Sequence, residues 1–167
     1  MALIRHGLPA REDFAAVGSE DALPEGAVIV PFARYRAERE ALLARNAPLG
    51  VRIEPGERVE ELSDDLPRLA VIALAFPQFK DGRAFSSARL LRERLGYKGE
   101  IRAVGNVLRD QIFFMSRVGF TAFEVEKDKD AAAFAETMAE FSQVYQPSSD
   151  RRPTVLALRQ GARMAAE

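Results

Sequence analysis

"LAVIALAFPQFKDGRAFSSARLLRERLGYKGEIRAVG" (residues 69–105) decides the fold. Residues 69–76 are all apolar, β-branched at their centre and closed by Pro77, a pattern that suits a central strand covered on both faces. The spacing then predicts a helix over residues 86–95, with Ala88, Leu91 and Leu95 inward, Arg92 and Arg94 on solvated faces, and an Arg89–Glu93 pair at i, i+4. Gly96 and Gly99 end it, and "EIRAVG" supplies the next strand. A strand, a polar loop, a helix and a second strand make one crossover unit of a parallel sheet.

The same rhythm extends both ways. Upstream, residues 27–30 form a β-branched run stopped by Pro31, and "ARYRAEREALLARN" repeats charge at helical spacing, with Tyr35, Ala41 and Leu42 on the apolar side. "LGVRIEP" alternates as a short strand does, while "GERVEELSDDLP" reads as a loop with one helical turn, closed by Pro67, whose Glu60–Glu61 and Asp64–Asp65 pairs are solvating charge. Downstream, Asn106 is a plausible cap for a helix over residues 107–118, striped by Leu108, Ile112, Phe114 and Met115. Phe113 and Phe114 are neighbours and diverge, which sends one of them away from the core. "FTAFEV" predicts a strand and "DAAAFAETMAEFSQVY" a last helix with Phe134, Met138 and Phe141 inward.

The resulting expectation is α/β, with about five mostly parallel strands and crossover helices in an open doubly wound or half-barrel-like sheet. Residues 1–26, broken by Gly7, Pro9, Gly18, Pro24 and Gly26, read as an irregular N-terminal arm. Residues 27–146 form the single α/β domain, and residues 147–167 a C-terminal tail in which "TVLAL" is an edge strand or a docking segment.

A chain of 167 residues suits one domain, which at this size hides about 70% of the surface of the unfolded chain. With 47% hydrophobic and 29% charged residues and a net charge of -1, it lacks the basic footprint of a nucleic-acid binder. The chain has no cysteine, which removes disulfides, thiolate nucleophiles and cysteine-held clusters. No apolar run reaches the length of a signal peptide or a membrane span, so the expected location is cytoplasmic. The one histidine, His6, falls in the arm, which argues against a Ser-His-Asp triad or a histidine metal site, and no metal is expected. Neither G-x-G-x-x-G nor G-x-x-x-x-G-K-[ST] occurs, so the sequence encodes no recognisable cofactor loop.

In a parallel sheet the strand-to-helix loops emerge at the carboxyl ends of the strands, where ligands collect. "PQFKDGR", "GNVLRDQ" and "EVEKDKD" occupy those loops. Lys80, Asp81, Arg83, Asn106, Arg109, Asp110 and Gln111 are therefore expected to converge on one rim, with Ser86 and Asn106 at helix N-termini that favour an anion. The ordinary reading stands beside this one. Asp81-Gly82 is common turn chemistry, Ser86 a common cap, Lys80 a solvated charge, and Asp110 complements its helix dipole without any ligand.

The blocks "FPQFKDGR", "ARLLRERLGYKGE", "RAVGNVLRDQ" and "RVGFTAFE", within residues 73–125, closely resemble the central part of a bacterial family, the domain of unknown function 934. The likeness extends more loosely to "LIRHG" and "YQPSSD". Its label, an oxidoreductase of sulfite reduction, implies a role in assimilatory sulfur metabolism alongside sulfite reductase. Asn106 departs from the acidic residue expected in many relatives.

On that resemblance the first expectation is an accessory or binding protein of sulfite reduction. Its rim takes a small anion, with Arg83 and Arg109 clamping it and Asp81 and Asp110 orienting the arginines, or docks on sulfite reductase or a neighbouring sulfur-assimilation enzyme. The alternative is a small-molecule enzyme, an oxidoreductase, lyase or isomerase, with Asp81 or Asp110 as general acid or base and Arg83 as stabiliser. Neither nucleic acid nor membrane is an expected partner, and a homo-oligomer is compatible with the sequence.

Overall fold

The computed structural model describes residues 2–78, 80–125, 137 and 143–164, with side chains through residue 161. In chain order the elements are β1 (Ala2–Arg5), β2 (Leu8–Ala10), β3 (Ala15–Ala16), β4 (Val28–Pro31), α1 (Phe32–Ala37), α2 (Arg39–Leu43), β5 (Leu49–Ile53), β6 (Val71–Phe76), α3 (Arg83–Glu93), β7 (Glu100–Gly105), α4 (Arg109–Arg117), β8 (Ala122–Val125) and α5 (Val155–Met164). Two short 3-10 turns, Val59–Leu62 and Leu66–Arg68, lie between β5 and β6.

The strands form one 8-stranded sheet in the order β2-β1-β8-β7-β6-β5-β4-β3. From β3 to β8 every neighbouring pair is parallel and in consecutive order. β1 is antiparallel to β8, and β2 to β1. Consecutive order without a reversal gives no switch point, so the doubly wound alternative falls and the half-barrel-like one stands.

Curvature follows from chain length. Only residues 11–14 connect β2 at one edge to β3 at the other, and such a link spans at most about 18 Å. Seven strand spacings in a flat sheet would separate those edges by about 34 Å. The sheet must therefore curl until its edges approach each other, and Leu3 of β1, Ala16 of β3 and Ile29 of β4 do line one cavity.

Each face has its own chemistry. Val30, Val51, Ile72, Leu74, Phe76, Ile101, Ala103 and Phe123 point to the outer face, which is covered by Phe32 and Tyr35 of α1, Ala84, Ala88 and Leu91 of α3, and Ile112 and Met115 of α4. The alternate positions, Ile29, Val71, Ala73, Ala75 and Val104, form a second and smaller cluster on the concave face with Phe14 against it. All six residues of β6 are buried, as expected of a strand covered on both faces.

The sequence patterns for β4, β5, β6, β7 and β8 match strands; the other three strands lie in the segment expected to be an irregular arm. His6 and Gly7 have φ of 51° and 83°, which makes the two-residue link from Arg5 to Leu8 a hairpin turn with both central residues left-handed. Gly7 and Pro9, read as breakers, are turn and edge-strand chemistry.

Helix boundaries also differ. α3 begins at Arg83, so Ser86 stands inside the helix rather than at its N-terminus. α4 begins at Arg109 with Leu108 as its cap residue, so Asn106 belongs to the preceding loop. Leu108 and Phe114 are exposed while Phe113 is buried. Arg92 is not solvated: its guanidinium donates to the carbonyls of Tyr97, Gly99 and Gly119, tying the end of α3 to the loops on either side of β7. Asp65 is not solvating charge either. It is 4% exposed and accepts from Arg39 Nε at 2.6 Å, Arg39 Nη2 at 2.7 Å and the Tyr35 hydroxyl. In the tail, the stretch containing "TVLAL" is the start of α5, and Thr154 bridges Val144 in parallel. The helix expected over "DAAAFAETMAEFSQVY" lies outside the described residues apart from Thr137 and the stretch from residue 143.

Candidate functional site

The loop after β6 and the loop after β7 leave the sheet at the same end, because the two strands are parallel and in register from Val71↔Glu100 to Phe76↔Gly105. Gly105 closes β7 at φ +94°, and a Cβ there would stand 2.7 Å from the Phe76 carbonyl oxygen. That close approach lets the Asn106 N–H donate to the Phe76 carbonyl at 2.7 Å, locking the start of the second loop onto the end of β6.

A cavity of about 220 Å³ sits at this end, lined by Gly105, Asn106, Val107, Leu108, Arg109, Ile112 and Val125. It brings Asn106 and Arg109 together beside the first turn of α4, whose open N–H groups favour negative charge. Arg109 Nε donates to Thr137 Oγ1 at 3.0 Å, so the guanidinium is held as well as charged. Asp110 is exposed in the same first turn and Gln111 is half-buried behind it.

Asp81 and Arg83 belong to a neighbouring group that does not line this cavity. Arg83 donates to Asp81 from Nε at 2.9 Å and Nη2 at 2.6 Å, a bidentate pair reinforced by the Arg83 backbone N–H at 3.2 Å. The Arg83 hydrogen bonds hold the Asp81 carboxyl down to about 2, and the same pairing raises Arg83. Arg83 extends toward the loop after β5, its Nη1 lying 3.6 Å from where a Cβ on Gly56 would be. Lys80 is exposed, and Ser86 lies on the exposed face of α3. The expected rim thus divides into an Asn106–Arg109 pocket, a self-paired Asp81–Arg83 loop, and the outlying Lys80 and Ser86.

A second polar centre escaped the sequence reading. Arg102, in the middle of β7, is fully buried on the concave face. Its Nε donates to Glu100 at 2.7 Å and its Nη1 to Glu12 at 2.6 Å, while Glu124 Oε1 lies 3.6 Å from Nη1. Glu100 also accepts from Arg5 Nε at 2.7 Å, so one carboxylate joins two arginines across β1 and β7. The Phe14 ring lies 5.7 Å from the Arg102 guanidinium carbon, within cation–π range. Burial alone would lower the Arg102 guanidinium, but the Glu100 hydrogen bond and the charges of Glu100, Glu12 and Glu124 raise it. Glu124 is raised mainly by burial, with Arg102 opposing. The signal was in the strands: Arg52, Glu100, Arg102 and Glu124 all occupy the alternation that should have been apolar on a face covered on both sides.

No helix among the described residues is long and apolar enough to cross a membrane. Comparison with curated proteins finds no match. The family model "Bacterial protein of unknown function (DUF934)" matches residues 50–156, a span that takes in the Asn106–Arg109 pocket and Arg102 but stops short of Glu12 and Phe14. The chain belongs to that family, as the blocks between "FPQFKDGR" and "RVGFTAFE" led one to expect.

Proposed function

We propose that the protein is an accessory binding protein of assimilatory sulfite reduction that holds a small oxyanion at the carboxyl ends of β7 and β8. The observation that carries this reading is the 220 Å³ cavity that combines Arg109, Asn106 and the start of α4. A cationic side chain fixed by Thr137, a neutral amide and open backbone N–H groups are the donor set that a tetrahedral or pyramidal oxyanion accepts from. Sulfur metabolism enters from the label carried by the proteins this chain resembles.

Binding is favoured over catalysis by the state of Asp81. A carboxyl held down to about 2 by a bidentate arginine stays ionised and is a poor proton donor or acceptor near neutrality. The same pairing neutralises Arg83 locally, so it does not act as half of a clamp with Arg109.

The test is calorimetric titration of the purified chain with sulfite and sulfate, repeated on Arg109→Ala and Asn106→Ala. Arg109→Ala is expected to weaken sulfite binding by about tenfold or more, the worth of one charge-assisted hydrogen bond, while leaving the circular dichroism spectrum unchanged. No heat of binding in the wild type, together with normal growth on sulfite of a strain carrying Arg109→Ala, would remove the reading.

A further inference from the structure

We propose that the concave interior of the sheet is a binding pocket for a small uncharged molecule whose polar edge carries a carbonyl acceptor beside an N–H donor, as in a primary amide or a lactam. The pocket shares no lining residue with the Asn106–Arg109 cavity, so the two proposals stand or fall separately.

The interior holds a cavity of about 260 Å³ walled by Leu3, Phe14, Ala16 and Ile29, with Arg102 and Glu124 as its inner polar groups. The interior of a closed eight-stranded barrel is filled by branched side chains. Here the small side chains of Ala2 and Ala16 are among those lining the space, and it stays open. A cavity of about 150 Å³ suffices for benzene, whereas drug-sized ligands need about 300 Å³ or more, so the occupant is a single-ring or comparably small molecule.

Its polarity follows from what Arg102 lacks. The side chain has no solvent exposure, Nε and Nη1 are bonded to Glu100 and Glu12, and Nη2 is buried with no acceptor among the described residues. A buried donor on a charged group without an acceptor is unfavourable. The guanidinium charge is already matched by Glu100 and Glu12, so the missing partner is a neutral acceptor rather than another anion. Glu124 Oε1, 3.6 Å from Nη1, is too far for a strong hydrogen bond to Arg102 and is left as an acceptor facing the same space. A carbonyl oxygen on Nη2 and an N–H on Glu124 satisfy both at once, while Phe14 and Ile29 cover the apolar body. A carboxylate ligand would meet Glu124 and Glu12, and an amidinium would meet the Arg102 guanidinium.

The experiment is a methyl and amide NMR titration of the full chain with benzamide and 2-pyridone, with benzoate and benzamidinium as charged counterparts. Benzamide or 2-pyridone should saturate the Leu3 and Ile29 methyl shifts, and both charged counterparts should bind at least about tenfold more weakly. Ala16→Leu, which fills the cavity from β3 without touching the ionic groups, should weaken binding by about tenfold or more, as should Glu124→Leu. The proposal is overturned if neither amide moves the interior methyls at millimolar concentration, which would mark an interior that holds water only. Equal binding of a charged counterpart, or binding to Ala16→Leu unchanged from wild type, overturns it as well.

Discussion

Replacing Asp65 by alanine tests the account of how the first helices are fastened to the sheet. Asp65 is 4% exposed and Tyr35, whose hydroxyl donates to its carboxylate, 2% exposed. Removing the carboxylate strands the hydroxyl without an acceptor, at a cost of about 1–3 kcal/mol. The Arg39 guanidinium is half exposed, so losing its pairing adds only about 0.2–1 kcal/mol. Together these give about 1–4 kcal/mol, and for a chain of this size each kcal/mol moves Tm by about 2–4 °C, so a fall of several degrees, about 2–16 °C, is expected. Urea denaturation followed by far-UV circular dichroism would measure it, with an unchanged slope and a lower midpoint. Tyr35→Phe removes the stranded donor, so the double variant should recover about 1–2 kcal/mol relative to the sum of the singles. The hydrogen bond from Arg39 holds the Asp65 carboxyl below its ordinary value, with burial opposing and Tyr35 assisting. Its contribution is therefore complete above the unfolded-state value of about 4 and is lost as pH falls through the folded-state value. The gap between wild type and Asp65→Ala should narrow in acid by the share that the Arg39 ion pair supplies, while the Tyr35 hydroxyl keeps an acceptor in the protonated carboxyl. A loss under about 0.5 kcal/mol at pH 7, the range of ordinary surface substitutions, would refute the argument.

Two further substitutions probe the concave face. Arg102→Ala leaves Glu12, Glu100 and Glu124 facing one another with Arg5 paired to Glu100 and the charge of Arg52 acting on Glu124, and should cost about 3–5 kcal/mol by thermal melt at pH 7. Because protonation relieves carboxylate repulsion, that loss should shrink at lower pH; a constant loss would mean that packing, not charge, is what Arg102 supplies. Gly50→Ala places a Cβ 2.8 Å from Ile29 Cγ1 and 3.1 Å from Val71 Cβ, where overpacking costs about 1–3 kcal/mol. A midpoint of urea unfolding equal to wild type would show that the strands can spread there.

The parts of the fold visible in the sequence are those whose pattern is local. The apolar run of β6 and the Ile-x-Ala-x alternation of β7 announce themselves within a few residues. β1, β2 and β3 do not, because four, three and two residues carry too little periodicity and their pairing partners are remote: Ala2 is matched with Val125. Side-chain roles divide in the same way. Arg89 and Glu93 are neighbours on one helix face and were readable from helical spacing. Asp65 and Arg102 were not, since Tyr35 is 30 residues from Asp65 and Glu12 is 90 from Arg102. Of the candidate rim, loop position was legible and partnership was not: only the folded chain shows Asn106 and Arg109 sharing a cavity while Arg83 turns toward Asp81.

The connection of β2 to β3 through residues 11–14 also orders events on the ribosome. β1, made before the rest of this sheet, finds its partner outside the hairpin only in β8, so it must wait for nearly all of the sheet to emerge. The parallel strands can add one crossover at a time from β4 onward, each beside the strand just finished. Docking of the N-terminal hairpin is then a late, long-range step, and until it happens the Arg102 side of the sheet faces water. A nascent chain paused before β8 is synthesised would expose the Arg102 guanidinium and an apolar trough to chaperones and proteases, and the β1–β2 hairpin would be the last part to become safe from them.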